Sequence, residues 1–152
     1  MEVYRLTRKK FTGHLSGKGA AAFGARWNST GVELIYTAAN RSLAMAEVAV
    51  HFTLATMPID YMMMSVFIPD DIPVKKINKT ELSSNWNVFP HSASTMKIGD
   101  AFVAENKFCI LCVPSAITKG DFNYLINPNH PDFSRIKIVR TEIFPFDRRI
   151  FK

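Results

Sequence analysis

The sequence predicts an α+β fold, a mixed sheet with flanking helices formed by one domain over residues 1–152. Three observations lead there. Apolar stretches of strand length recur along the chain, among them Val3 to Leu6, Met57 to Pro69 and Phe108 to Val113. Two stretches are patterned for helices of several turns, one starting near Asn40 and one near Ser92. Strands and helices do not alternate regularly, so a wound parallel sheet is not expected. A chain of 152 residues suggests one domain and buries roughly 70% of its unfolded surface, enough for a core without metals or disulfides.

Each element has a local reason. Val3 to Leu6 reads as a first strand. Lys9 to Gly24 is a loop rich in Gly, Ser, Lys and Ala, with a helical turn at Gly19 to Phe23. Arg26 and Trp27 read as extended, and Asn28 to Gly31 as a turn. Glu33 to Thr37 is strand-like. Asn40 or Ser42 is placed to cap a helix running to about Thr53. Met57 to Pro69 suits a central strand ended by proline, and Val74 to Ile77 another. Glu81 to Trp86 reads as a short helix. Ser92 or Ser94 is placed to cap a helix through about Asn106, with Met96, Ile98, Phe102 and Val103 inward. Phe108 to Val113 is a buried-type strand stopped by Pro114. Asn123 to Ile126 precedes an Asn/Pro turn, NPNHP, and Ile136 to Phe146 forms the last strand.

Composition narrows the classes of function. Apolar content of 47% and charged content of 21% are those of a globular protein. The net charge of +6 favours acidic partners: nucleic acid, phosphorylated ligands or an acidic protein. Much of the basic charge sits at the ends, including Arg5, Arg8, Lys9 and Lys10, then Arg135, Lys137, Arg140, Arg148, Arg149 and Lys152. MEVYRLTRKK lacks the apolar region of a signal peptide, and Asp60, Glu105 and Lys107 interrupt the apolar runs, so no membrane span is expected. A cytoplasmic location follows, and two cysteines fit a reducing compartment.

Most charges read as solvated; Glu47 does not. From Leu43 to Phe52 the chain reads LAMAEVAVHF, where only Glu47 and His51 carry charge. A helix apolar on most faces is expected to be buried. A carboxylate there must find a partner or shift its pKa, which marks it as a functional candidate beside the plainer reading of a structural ion pair. His51, four residues on, shares its helical face and reads as a core or site-wall histidine; a metal would need a further ligand that no spacing supplies. Arg26 is either a surface arginine stacked on Trp27 or a fork for phosphate or carboxylate. Tyr36 reads as core packing with a hydrogen-bonded hydroxyl. Cys109 and Cys112, three apart in a strand, point to opposite faces and read as core thiols rather than a redox or zinc pair. Ser115 follows a Val-Pro pair where loops carry function, but lacks the surroundings of a hydrolase nucleophile. Gly17, Lys18 and Gly19 hint at a phosphate loop without its full pattern. His14, His51, His91 and His130 share no spacing, yet leave acid/base chemistry on RNA open.

Together, LSGKGAAAFGARWNSTGVELIYTAANRSLAMAE, VPSAI, NYLINPNHPDF and FPFDRR resemble the RES domain family, in order and over nearly the whole chain. The RWN…G…Y…E block and the VPS and NP-x-HP segments carry most of the likeness. By that match the Arg, Glu and Ser of the family's name are Arg26, Glu47 and Ser115, with Tyr36 a further site residue. Many members carry two glycines before the Arg; here the second is Ala25.

The resemblance implies a fold like the ADP-ribosyltransferase catalytic core and a toxin paired with an Xre-type helix-turn-helix antitoxin. It implies NAD as substrate, depleted by cleavage of the nicotinamide–ribose bond by water or phosphate, without a metal. One branch of the family modifies a protein target as an ADP-ribosyltransferase. DNA would be met only through the antitoxin. Glu47 would stabilise an oxocarbenium-like ribose, Arg26 hold a phosphate, Tyr36 stack on nicotinamide, and Ser115 bind a ribose or phosphate oxygen or orient Glu47. A ribonuclease-type toxin and a binding module without chemistry are the competing classes.

Overall fold

A computed structural model describes residues 1–151; Lys152, one of the terminal basic residues, lies outside them. Seven strands form one mixed sheet: β1 (Glu2–Arg8), β2 (Ile35–Ala38), β3 (Tyr61–Phe67), β4 (Val74–Lys76), β5 (Ile110–Pro114), β6 (Phe122–Ile126) and β7 (Lys137–Ile143). Their order is β4-β5-β6-β2-β1-β3-β7. Only β4 and β5 run parallel; the other neighbours are antiparallel. Three helices complete the fold: α1 (Lys18–Phe23), α2 (Arg41–Ala49) and α3 (Ala93–Glu105).

The two-residue period of the strands divides the core between the sheet's faces. Ile35, Met64, Ile110 and Ile126 fall in one apolar cluster. Their chain neighbours point the other way, Leu34, Leu111 and Leu125 into a second cluster and Met63 into a third. The second cluster takes in Phe102 of α3, and the third takes in Leu43 and Ala44 of α2. Both helices therefore cover the same face of the sheet, and a cleft forms between the clusters they close.

Several local expectations give way to tertiary contacts. Arg26 and Trp27 are not extended but form the tip of a tight turn closed by a bridge between Ala25 and Asn28. Helix α2 ends at Ala49 rather than near Thr53. Its cap is Asn40, whose side chain accepts the Leu43 N–H at 2.8 Å. Glu81 to Trp86 is not a helix: a 3-10 turn covers Lys79–Glu81 and further turns follow. Pro114 does not stop β5 but closes it, paired with Phe122. In α3 the buried positions are Thr95, Gly99 and Phe102, with Ile98 and Val103 packed beside them. Met96 is only half-buried. The face is rotated because α3 lies directly on a backbone: a Cβ on Gly99 would come within 1.6 Å of the Trp27 carbonyl oxygen.

Candidate active site

The cleft has a volume of about 230 Å³ and is lined by side chains from β1, β2, β6, α2 and the Arg26 turn. That is below the roughly 300 Å³ at which small-molecule sites commonly begin, so it suits one end of a large ligand. Ala44, Glu47 and Val48 line it together, because residues three and four apart share a helical face. Helix α2 is thus a cleft wall: only Leu43 and Ala44 are fully buried, and Glu47 is half-buried. Burial pushes the Glu47 carboxyl above its usual range, while hydrogen bonding to Asn123 and Ser115 and the charge of Arg26 pull the other way.

Arg26 and Tyr36 line the same cleft. The Arg26 guanidinium donates through Nη1 to the carbonyls of Trp86 and Val88, at 2.9 and 3.0 Å. Among the described residues, no acidic group lies within ion-pair distance of Arg26. Trp27 is buried against Trp86, with ring centroids 6.2 Å apart, so it anchors the turn rather than stacking as a surface platform. Ser115 is buried and is not among the lining residues; its neighbour Ala116 is. The Ser115 hydroxyl accepts the N–H groups of Ile117 and Thr118 at 3.1 and 3.0 Å. Its proton points to Glu47 Oε1 at 3.5 Å, the outer limit of a hydrogen bond. The structure therefore brings Arg26, Tyr36 and Glu47 to one cleft and sets Ser115 behind Glu47.

Two lining residues escape sequence reasoning. Arg5, grouped by sequence with the terminal basic charge, is half-buried in β1 and is among the residues lining the cleft, although the strand period sets its side chain with Val3 and Met64 rather than with Tyr4 and Leu6. Desolvation lowers its pKa, and no acidic group among the described residues pairs with it. Its signal was a charge inside an apolar strand. Asn123, the second residue of β6, pairs with Ala38 and donates to the Thr37 carbonyl at 3.3 Å. No sequence signal singles it out. Conversely, His51 is neither core nor site wall: it follows the end of α2 and is exposed. None of the four histidines lines the cleft. Among the described residues no three His, Cys, Asp or Glu side chains gather as a metal-ligand set. Gly17 presses against the Leu34 backbone, where a Cβ would meet Leu34 N at 2.7 Å, which accounts for it by packing. Cys109 and Cys112 are free and buried; burial pushes the Cys109 thiol up to about 12.

Comparison with known proteins matches the RES domain pattern to residues 2–147. The chain belongs to the RES domain family. Among its RES relatives, a protein named Toxin Res from Photorhabdus laumondii is 35% identical over 154 residues, covering 100% of this chain and 98% of the relative. A Prs ADP-ribosylating toxin from Sphingobium sp. is 31% identical over 140 residues, covering 91% of this chain and 87% of the relative. A solved structure, the M. tuberculosis MbcT–MbcA toxin–antitoxin complex, contains a chain of similar fold. It superposes with a TM-score of 0.74 at 19% identity, over 94% of this RES chain and 83% of that chain. The α+β class and the mixed sheet read from the sequence are the architecture of this RES domain. No helix among the described residues is long and apolar enough to cross a membrane.

Proposed function

We propose that this chain is a toxin that depletes NAD by cleaving the nicotinamide–ribose bond, with water or phosphate as acceptor. The observation that carries the reading is the half-buried Glu47 carboxylate in the cleft it shares with Arg26 and Tyr36, where the Arg26 charge acts on it. Nicotinamide leaves as a neutral molecule from a cationic glycoside, so the site needs no strong general acid. It needs a negative charge beside the ribose as positive charge develops there, and cations for the diphosphate. Glu47 serves the first need, by analogy with glycosidase carboxylates; Arg26 serves the second. Tyr36 supplies an aromatic wall for the nicotinamide ring, which is cationic before cleavage. Ser115 acts by orienting Glu47. NAD is the substrate, and the scheme calls for no metal.

The name of the Sphingobium relative favours a second reading, transfer of ADP-ribose to a protein side chain. It uses the same bond cleavage and differs in the acceptor. A ribonuclease has less support, since no histidine lines the cleft. The relatives named Toxin Res and the solved toxin–antitoxin complex support an antitoxin partner. We assign it the Xre-type helix-turn-helix class, with the net charge of +6 meeting an acidic surface on it and DNA reached only through it. Co-expression is expected to abolish growth arrest.

The deciding assay is nicotinamide release by the purified protein in the presence of a chelator, with water and with phosphate. Glu47→Gln is expected to lose about 100- to 1000-fold in turnover while melting at the same temperature or higher. The sign of the stability effect follows from the raised pKa of Glu47. The folded protein binds that proton more tightly than the unfolded chain. Stability from this group is therefore present at low pH and lost as pH rises from the ordinary carboxylate value through the raised one. Glutamine removes that loss. A Gln variant that melts early yet turns over NAD normally defeats the catalytic reading of Glu47.

A further inference from the structure

The cleft wall is held by a buried amide that lines no part of it. Asn28 is fully buried. Its Nδ2 donates to the carbonyls of Ala20, Ser29 and Val32, at 2.9, 3.2 and 3.0 Å. Those three acceptors fix the orientation of the amide, since a flip would set its oxygen against three carbonyl oxygens. Oδ1 is therefore left facing the Tyr36 hydroxyl at 2.6 Å. An amide oxygen has no proton to give, so the phenol must donate. Its lone pair then takes the Trp27 N–H at 3.1 Å.

That N–H belongs to the peptide joining Arg26 to Trp27. The carbonyl of the same peptide accepts the Thr95 hydroxyl at 2.6 Å. The peptide is thus gripped from both sides, by Tyr36 on its N–H and by α3 on its oxygen. Two residues beyond Trp27, the Ser29 N–H and hydroxyl both go to Asp100, the amide at 2.9 Å.

We infer that Asn28 is a positioning residue of the site: by fixing the Tyr36 hydroxyl, and through it the Trp27 N–H, it joins the Tyr36 ring and the Arg26 turn into one rigid unit. The phenolic proton is committed to Asn28, so Tyr36 offers the ligand its ring and takes no part in proton transfer. Burial, the largest influence on the Tyr36 phenol, raises its pKa and keeps it protonated.

This inference rests on the proposed NAD chemistry only for its assay. The test compares wild type, Tyr36→Phe, Asn28→Ala and the double variant by nicotinamide release, thermal melting and growth arrest on induction. Phenylalanine keeps the ring and removes both hydroxyl bonds. Tyr36→Phe is expected to lower kcat/KM about tenfold, mainly through KM, with the shape of the pH profile retained. Asn28→Ala is expected to lose at least as much, and the double variant no more than Asn28→Ala, because the two act in series. Wild-type kcat/KM in Tyr36→Phe, or losses that multiply in the double variant, would overturn the assignment. So would abolition of turnover together with loss of an alkaline limb in Tyr36→Phe, the mark of a proton-transfer role. If Asn28→Ala does not fold, Tyr36→Phe decides alone by its KM. If the wild type releases no nicotinamide, the proposed chemistry fails separately. Growth arrest then decides: attenuation by Tyr36→Phe supports the inference, and undiminished arrest overturns it.

Discussion

The hydroxyl of Ser115 stands 3.5 Å from Glu47 Oε1 while accepting two backbone N–H groups on its other side. Those N–H bonds polarise the hydroxyl toward the carboxylate. Ser115→Ala removes a bond that holds the Glu47 pKa down, so an already raised pKa rises further. If the ionised form is the active one, the acidic limb of the pH–rate profile moves to higher pH, and turnover near neutrality falls by less than in Glu47→Gln. The variant also orphans the Ile117 and Thr118 N–H groups, at a cost of about 1–2 kcal/mol in stability. A pH profile of nicotinamide release checks this; an unmoved limb would detach Ser115 from Glu47.

Arg26→Lys tests the fork. The guanidinium already spends Nη1 on the carbonyls of Trp86 and Val88, leaving the remaining N–H groups for a ligand. An ammonium is a compact point charge and lacks that planar geometry. The expected result is a weaker apparent affinity for NAD, about tenfold or more, together with a looser 86–88 segment. Steady-state kinetics gives the first, and hydrogen exchange across Trp86 to Val88 the second. Wild-type values in both would reduce Arg26 to a structural residue.

Gly99 has no room for a side chain, since the atom in the way is backbone, the Trp27 carbonyl oxygen at 1.6 Å. Gly99→Ala is expected to destabilise by about 1–3 kcal/mol through overpacking. It should also lower activity in the folded fraction, because the displaced residue adjoins Arg26. Melting temperature and active-fraction kinetics separate the two effects. A variant with wild-type stability would mean that α3 lifts away from the turn without cost.

Replacing both Cys109 and Cys112 with alanine removes two buried thiols but no group that lines the cleft. NAD consumption should persist, with stability lower by about 1 kcal/mol per site. Loss of activity in a folded double variant would give this pair a role the structure does not assign.

What the sequence determined by itself was local. Continuous apolar runs of strand length placed β3 and β5, because a strand buried on both faces is apolar throughout, and alternation placed β7. Asn40 and Ser42 marked the start of α2, because a cap bonds within its own turn, and the structure selects Asn40. A lone carboxylate among alanines and valines singled out Glu47. Tertiary structure decided what no short window contains. Arg5 comes to the cleft lining because β1 lies between β2 and β3. Asn123 reaches it because β6 pairs with β2 so that Asn123 meets Ala38. Arg26 and Trp27, extended by local propensity, are bent into a turn by Thr95 at 2.6 Å and by the bare backbone of Gly99, some seventy residues further along the chain. His51 left the site because α2 ends one turn early. Propensity acts over a few residues and is worth less than about 1 kcal/mol per position; a satisfied buried contact between distant segments outweighs it, and such contacts exist only once the sheet has set its strand order.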